Sequence, residues 1–231
     1  MHLLDYPKSH MKYGASDRYQ TEKGKEYFAY QQQQAPGAAL EARKFASHIR
    51  PTDRVLDFGC GGGWVLRGLD CAERVGVEIN EAAHTFCREN GVHVRRALDE
   101  VECGDFDVAI SNHCLEHVPC PVEALREICG KLRPGGKLVL VLPLDDWRVQ
   151  KDFTGTDIDH HLHTWTPRLL ANTLVEAGFS VQSVAVLSYA WPPGWSKFMN
   201  VLPGPAFDAL CWLMAVVKKR RQLVAVATKP A

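Results

Sequence analysis

Short apolar runs alternate with amphipathic segments through most of the chain. β-Branched and apolar runs bounded by polar or turn residues predict seven strands, at 54–58, 74–79, 92–96, 106–111, 137–143, 180–190 and 222–230. Apolar positions at helical spacing predict helices between them, most clearly over 121–132 and 166–179. Strands that alternate with helices form a parallel sheet covered on both faces. The pattern therefore predicts an α/β fold with a doubly wound, Rossmann-like sheet.

Two segments depart from this alternation. Residues 1–50 are polar and aromatic, with helices expected over 21–34 and 36–49, and we expect them to form a helical lid or cap. Residues 190–221 separate the last two strands, are apolar from Phe207 to Val217 and end in four cations. This predicted helical insertion could pack on the core, contact a second subunit in a homodimer, or lie at a membrane surface. We treat 1–231 as one domain, with its core in 51–189 and 222–231.

Charge and cysteine usage restrict the partners and the compartment. Lys+Arg and Asp+Glu both total 27, so the net charge is zero and nucleic acid is not an expected partner. The N-terminus lacks a signal-peptide pattern, and no apolar run is long enough to span a membrane. The 8 cysteines form no CxxC pair, which indicates reduced thiols, a cytoplasmic protein and no zinc site built on cysteine.

The stretch VLDFGCGGGW (55–64) carries the clearest chemical signal. A glycine-rich turn after the first strand of a doubly wound sheet is where such folds bind a ligand. The dinucleotide fingerprint GxGxxG would need glycine at position 64, which is Trp64. The stretch instead fits [DE]xGxGxG, with Asp57, Gly59, Gly61 and Gly63. A carboxylate at this place would repel a pyrophosphate and favour a ligand that carries an amino group or a sulfonium.

This segment resembles motif I of the class I S-adenosylmethionine-dependent methyltransferases, and the resemblance extends over 53–143. It implies the seven-stranded sheet of that family and S-adenosylmethionine as the cofactor. The glycines would let the backbone approach the cofactor, and Asp57 would lie near its methionyl part. Glu78, at the end of the second strand, would accept hydrogen bonds from the ribose hydroxyls, and Ile79 would contact adenine. Without this ligand, Glu78 would be a solvated carboxylate at a strand end.

Two later segments extend the resemblance. ALDEV (97–101) is similar to the family segment in which a residue meets the adenine amino group, which implies Leu98 or Asp99 here. FDVAISNHCLEHV (106–118) resembles motif IV and implies that Asn112 lies beside the methionyl group and the reactive methyl.

Histidines supply the candidates for acid–base chemistry. Methyl transfer needs mainly proximity and alignment, and a hydroxyl nucleophile also benefits from a base. The candidate catalytic residues are His113, His160, His161 and His163. His117 belongs to a pattern common across the family, so we favour a packing or hydrogen-bonding role for it.

The loop DIDHHLHTWT (157–166) has three interpretations. Its histidines could act as a base or contact the substrate, could only form local hydrogen bonds, or could bind a divalent metal; we assign no metal ligand. Asp145 and Asp146 would line the same cleft or remain solvated.

HLHTWTP (161–167), together with the apolar insertion, resembles methyltransferases of bacterial cell-surface polysaccharide pathways. We expect O-methylation of a small molecule or of a carrier-linked sugar, that is, a glycan acceptor. The alternatives are the methylation of a quinone or another small metabolite, and a non-catalytic cofactor-binding subunit. The sequence contains no NPPY-type motif, which argues against the amino-methylating DNA and protein-glutamine enzymes of the fold.

Overall fold

A computed structural model describes residues 13, 16–144 and 159–231. Its sheet has the order β3-β2-β1-β4-β5-β7-β6, in which β7 runs antiparallel to both of its neighbours. The strands are β1 Arg54–Phe58, β2 Glu73–Val77, β3 His93–Arg95, β4 Phe106–Asn112, β5 Leu132–Pro143, β6 Ser180–Leu187 and β7 Gln222–Thr228. The strand order reverses between β1 and β4, and ligands of doubly wound folds bind at this switch point. The predicted seven-stranded, doubly wound fold is confirmed.

Helices cover the sheet and extend beyond it at the N-terminal side and in the insertion. They are α1 Glu22–Gln34, α2 Ala38–Ala46, α3 Trp64–Arg67, α4 His84–Glu89, α5 Pro121–Lys131, α6 Pro167–Glu176, α7 Trp195–Val201 and α8 Gly204–Lys218. Two predicted caps are present. The Asn80 side chain accepts the Ala82 N–H, and Thr166 accepts the Leu169 N–H. Both satisfy backbone donors that the first helical turn leaves unpaired.

Some boundaries differ from the sequence prediction. Helix α3 is short and ends at Arg67, and Gly68, which follows it, packs so closely on Ala42 that a Cβ there would be crowded. Strand β5 begins at Leu132, ahead of the strand predicted at 137–143, because Leu132 pairs with Phe106 before a shift in register. Gly135 accommodates that shift with a φ of 72°. Strand β6 ends at Leu187 and not at 190.

The core lies on both faces of the sheet, as the alternation within β1 illustrates. Leu56 and Phe58 face one buried cluster, which α5 and α6 complete, whereas Val55 faces a second cluster that contains Phe45 of α2 and Leu66 of α3. Side chains on successive strand residues point to opposite faces, so one strand contributes to both clusters. This packing fixes the carboxyl end of β1, where the glycine-rich loop starts.

The insertion is helical, as predicted, and forms two helices. Phe207 and Cys211 of α8 are buried against Leu40 of α2. Asp208 forms an ion pair of 2.8 Å with Arg43, also on α2. One face of α8 is therefore held on the N-terminal helices. Within the described ranges, no helix combines the length and the apolarity needed to cross a membrane.

Candidate active site

The glycine-rich loop joins β1 to α3. Gly59 has a φ of 81°, and a Cβ on it would overlap the side chain of Cys114. Gly63 has a φ of 77°, caps α3, and is similarly confined by Val92. Backbone conformation and packing thus require glycine at both places. Gly61 also has a positive φ, of 53°, but it differs in packing, because a Cβ on it would meet only the Gln31 side chain, at 3.7 Å. Its missing side chain leaves space on the open side of the loop.

Two carboxyl groups lie beneath this loop. Asp57 is buried, and its Oδ1 has no hydrogen-bond partner. Burial, with a smaller contribution from the charge of Glu78, raises the pKa of Asp57 to about 8. Glu78 accepts the N–H of Gly61 at 2.9 Å and that of Asn80 at 2.8 Å. Burial raises the pKa of Glu78 as well. Two acidic groups in a poorly solvated place favour a cationic ligand.

Glu78 is well placed for the role that the resemblance implies. A carboxylate has about four acceptor positions, and the two backbone N–H groups use two of them, so acceptor capacity remains for hydroxyl donors. Both oxygens are tied to the loop and to the turn after β2, which orients the group instead of leaving it free in solvent.

A cavity adjoins the loop and connects it to the end of β4. Phe58, Gly59, Glu78 and Ile79 form the wall on the β1–β2 side. Three aromatic residues from the N-terminal side, Tyr13, Tyr19 and Tyr27, form the opposite wall. Among the described lining residues, the histidines are His113 and His117. The sequence did not single out these tyrosines as site residues.

The end of β4 carries two polar residues, Asn112 and His113, of which His113 lines the cavity. The Oδ1 of Asn112 is buried and has no hydrogen-bond partner. The next residue, His113, has a φ of 51° and donates its N–H to the carbonyl of Val141 at 2.8 Å. A left-handed conformation costs energy for a residue other than glycine, and such residues are concentrated at functional sites. The Nδ1 of His113 lies 3.6 Å from the Oε1 of Glu116.

Glu116 and His117 follow in a short 3₁₀ turn, Leu115–His117. Glu116 is completely buried, and neither of its carboxylate oxygens has a hydrogen-bond partner in the described structure. The Nδ1 of His117 is 2.9 Å from the hydroxyl of Tyr19, and burial lowers the pKa of His117. The sequence analysis noticed Glu116 only as part of a family pattern, although an acidic residue inside the apolar stretch CLEHV was a signal for a special role.

The histidine loop is described from residue 159 onward. The N–H groups of Leu162 and His163 donate to the carbonyl of Glu116, at 2.8 and 3.1 Å. The Nε2 of His163 is 2.9 Å from the carbonyl oxygen of Val118, and the ring of His161 lies 4.9 Å from that of His117. The backbone anchor thus places His161 against His117 and ties His163 to the main chain. His160 has a φ of 52°.

The other predicted site residues lie as follows. The side chain of Leu98 is completely buried in the core, and its carbonyl accepts the Val101 N–H at 3.1 Å. Asp99 is exposed, so it is the member of this pair whose side chain a ligand can reach. Asp145 and Asp146 lie outside the described residues.

The profile of a family described as a methyltransferase domain matches residues 28–184. The chain belongs to the methyltransferase domain family. Its fold is that of the class I S-adenosylmethionine-dependent enzymes. A SAM-dependent methyltransferase from Thermotoga maritima superimposes with a TM-score of 0.61 at 18% identity, covering 88% of this chain and 95% of the other. A [4+2]-cyclase superimposes with a TM-score of 0.60 at 20% identity, covering 84% and 82%.

Two curated relatives each match less than half of the chain. A ubiquinone biosynthesis O-methyltransferase from Xanthomonas axonopodis pv. citri is 34% identical over an alignment of 102 residues, which covers 38% of this chain and 41% of the relative. A ribosomal protein L11 methyltransferase from Ralstonia pickettii is 36% identical over 101 residues, 40% of this chain and 33% of the relative. The matches span less than half of either relative.

Proposed function

We propose that the methyltransferase binds S-adenosylmethionine at the glycine-rich loop. The observation that carries this proposal is the pair of buried oxygens without donors, Asp57 Oδ1 and Asn112 Oδ1. Burying an acceptor oxygen without a hydrogen bond costs free energy unless a ligand supplies the donor. The amino group of the cofactor would donate hydrogen bonds here, and its positive charge would be attracted to the carboxylate. Glu78 would hold the ribose, and Ile79 and Asp99 would lie on the adenine side. When bound, the cofactor supplies a methyl group activated by a sulfonium.

We propose that the N-terminal segment caps this pocket. Tyr13, Tyr19 and Tyr27 line the cavity from the side opposite the glycine-rich loop, and Gln31 faces Gly61. A cap that excludes water would strengthen the electrostatic interactions inside the site.

The proposed reaction is O-methylation, with His113 as the general base. His113 lies at the carboxyl end of β4 and lines the cavity. When its imidazole accepts the proton of an acceptor hydroxyl, it becomes cationic, and the Glu116 carboxylate beside its Nδ1 stabilises that charge. The acceptor oxygen is then a stronger nucleophile.

The proposed acceptor is a hydroxylated small molecule, and two classes compete. The resemblance of the histidine loop favours a carrier-linked sugar of a cell-surface polysaccharide pathway. The tyrosine-lined wall and the ubiquinone-pathway relatives favour a hydroxylated aromatic ring of the quinone type, because such rings pack well against aromatic side chains.

An assay with methyl-labelled S-adenosylmethionine distinguishes these classes. We expect label transfer to dihydroxybenzoate-type or polyprenyl-catechol acceptors, or to nucleotide-linked sugars, and the product should be a methyl ether. Label on nitrogen or carbon would contradict O-methylation. If the protein binds the cofactor but transfers no methyl to either class or to a crude metabolite extract, the non-catalytic subunit becomes the better account.

The 8 cysteines are free, which supports the proposal of a reducing, cytoplasmic setting. Cys103 and Cys120 are exposed, and the other six are buried or partly buried.

We also propose that the insertion binds the surface of an anionic membrane. Opposite its buried face, α8 exposes Trp212, Leu213, Val216 and Val217, and the exposed cations 218–221 follow. An apolar face beside a group of cations matches the boundary between acyl chains and anionic headgroups.

The protein should therefore sediment with vesicles that contain phosphatidylglycerol, more weakly with pure phosphatidylcholine vesicles, and less after Trp212→Ser. A stable dimer in light scattering, together with no vesicle binding, would instead assign this face to a second copy of the chain.

A further inference from the structure

Side chains from two segments that are distant in sequence, the turn 115–117 and the histidine loop, converge at the cavity. Glu116, His117 and His161 each present one potential ligand atom, and these atoms all lie within 4.8 Å of one another. Bonds from a metal ion to nitrogen or carboxylate oxygen are about 2.0–2.2 Å long, so an ion would need only small side-chain movements to be reached by all three.

Glu116 is the member that most requires a cation. It is completely buried, and within the described residues neither carboxylate oxygen has a hydrogen-bond partner. The nearest cationic candidates are imidazoles, at 3.6 Å for His113 and 3.9 Å for His117, beyond hydrogen-bond distance. A buried carboxylate without a donor is costly unless it is paired or coordinates a metal.

The hydrogen bonds of His117 assign its tautomer. The Tyr19 hydroxyl donates to the carbonyl oxygen of Asp159 at 3.3 Å, so its oxygen is left to accept from His117 Nδ1 at 2.9 Å. A second acceptor, the carbonyl oxygen of His160, lies 3.5 Å from the same Nδ1. The proton therefore sits on Nδ1, and the Nε2 lone pair faces Glu116. Metal-binding histidines are typically oriented in this way by a hydrogen bond at the other ring nitrogen.

The backbone holds the third member in place. The carbonyl of Glu116 accepts two N–H groups, from Leu162 and His163, so the loop that carries His161 is fastened to the turn that carries Glu116. The position of the His161 ring, 4.9 Å from that of His117, follows from this anchor.

We propose that Glu116, His117 and His161 form a binding site for a divalent first-row transition metal ion. Two imidazoles and one carboxylate suit Zn²⁺, Mn²⁺, Fe²⁺ or Co²⁺, whereas Mg²⁺ and Ca²⁺ prefer oxygen ligands. Such a site departs from the sequence analysis, which assigned no metal ligand. Because His117 lines the cavity, the ion would face the acceptor side; its role, which rests on the proposed function, is to bind the acceptor oxygen and lower the pKa of its hydroxyl.

The test measures metal binding without cofactor or acceptor, so its outcome is independent of methyl transfer. Full-length protein is stripped with chelator, incubated with Zn²⁺ or Mn²⁺, desalted, and analysed for metal content and Tm. We expect the wild type to retain zinc in stoichiometric amount and to gain Tm. Glu116→Gln and His161→Asn should lose both effects. Tyr19→Phe, which removes the contacts of the Tyr19 hydroxyl with His117 and with the Asp159 carbonyl but leaves the three ligands in place, should weaken zinc binding by about 10–100-fold.

The control is His93→Asn, which removes an exposed imidazole on β3 and should bind zinc like the wild type. Glu116→Gln should fold, because glutamine has nearly the same shape and neither carboxyl oxygen of Glu116 has a hydrogen-bond partner among the described residues, and its metal-free Tm should not fall below that of the wild type. Zinc retention by Glu116→Gln and His161→Asn equal to that of the wild type would overturn the proposal, since the exposed cysteines would then be the ligands. Failure of the wild type to bind either ion would overturn it as well.

Discussion

Replacing Asp57 by asparagine should raise the free energy of unfolding of the cofactor-free protein, relative to the wild type, more at alkaline pH than at acid pH. The pKa of Asp57 is raised from 3.8 to about 8 by burial. Between these values the folded state holds a proton that the unfolded state has released, so folding stability falls as the pH rises from about 4 to about 8. The full effect is on the order of 5 kcal/mol, because each unit of pKa shift corresponds to about 1.4 kcal/mol. Asparagine cannot ionise and removes this dependence.

The measurement is the free energy of unfolding of both proteins in denaturant at about pH 5 and about pH 8.5. The free energy of unfolding of the variant, relative to that of the wild type, should be larger at the higher pH than at the lower pH. Asp53→Asn is the matched control. That carboxyl is equally buried but accepts the Arg50 N–H at 2.9 Å and pairs with the Arg50 guanidinium at 3.2 Å, so its loss should destabilise at both pH values. A difference for Asp57→Asn that does not change with pH would contradict the burial of an ionisable, unpartnered group.

His113→Ala should lower the turnover number by about 10²–10⁴-fold, the usual contribution of a general base. Binding of S-adenosylhomocysteine should change little, because the groups proposed to hold the cofactor, at the ends of β1 and β2 and at Asn112, do not include the His113 imidazole. The measurement is single-turnover methyl transfer to an acceptor found in the labelled assay, with calorimetric titration of the same variant.

His163→Ala is the control for this prediction, since its Nε2 is bound to the Val118 carbonyl and its loss should have a smaller effect on turnover. An unchanged turnover number in His113→Ala would show that His113 is not the general base. If substitution of a histidine in the loop 160–163 lowers turnover more than His113→Ala does, the interpretation of these histidines as a base or as substrate contacts is restored.

Local patterns were sufficient for the fold and for the cofactor side of the site. Asp57 and the three glycines lie within seven residues, and Glu78 directly follows the next strand, so spacing along the chain reflects spacing in the structure. The alternation of strands and helices similarly predicts the sheet, because side-chain periodicity depends on neighbouring residues only.

The acceptor side depends on contacts that no local pattern reveals. Tyr19 meets His117 across 98 residues of sequence, and Leu162 bonds to the carbonyl of Glu116 across the end of the sheet. The position of the histidine loop after β5 predicts that it lies near the cavity. The sequence does not reveal that the loop is hydrogen-bonded to the Glu116 carbonyl, which brings His161 against His117. Periodicity likewise predicted the apolar helix α8 but not which of its faces is buried against α2.

Titration with S-adenosylhomocysteine tests the central claim most directly, because every role proposed for the site depends on the glycine-rich loop and Glu78 binding this cofactor. The wild type should bind one molecule per chain in the micromolar range and should not bind NAD. Glu78→Ala should weaken binding by about 1–3 kcal/mol, because the ribose hydroxyls lose a charged acceptor, with an unchanged circular dichroism spectrum. Binding of NAD without binding of S-adenosylhomocysteine, or an unaltered dissociation constant in Glu78→Ala, would contradict the account.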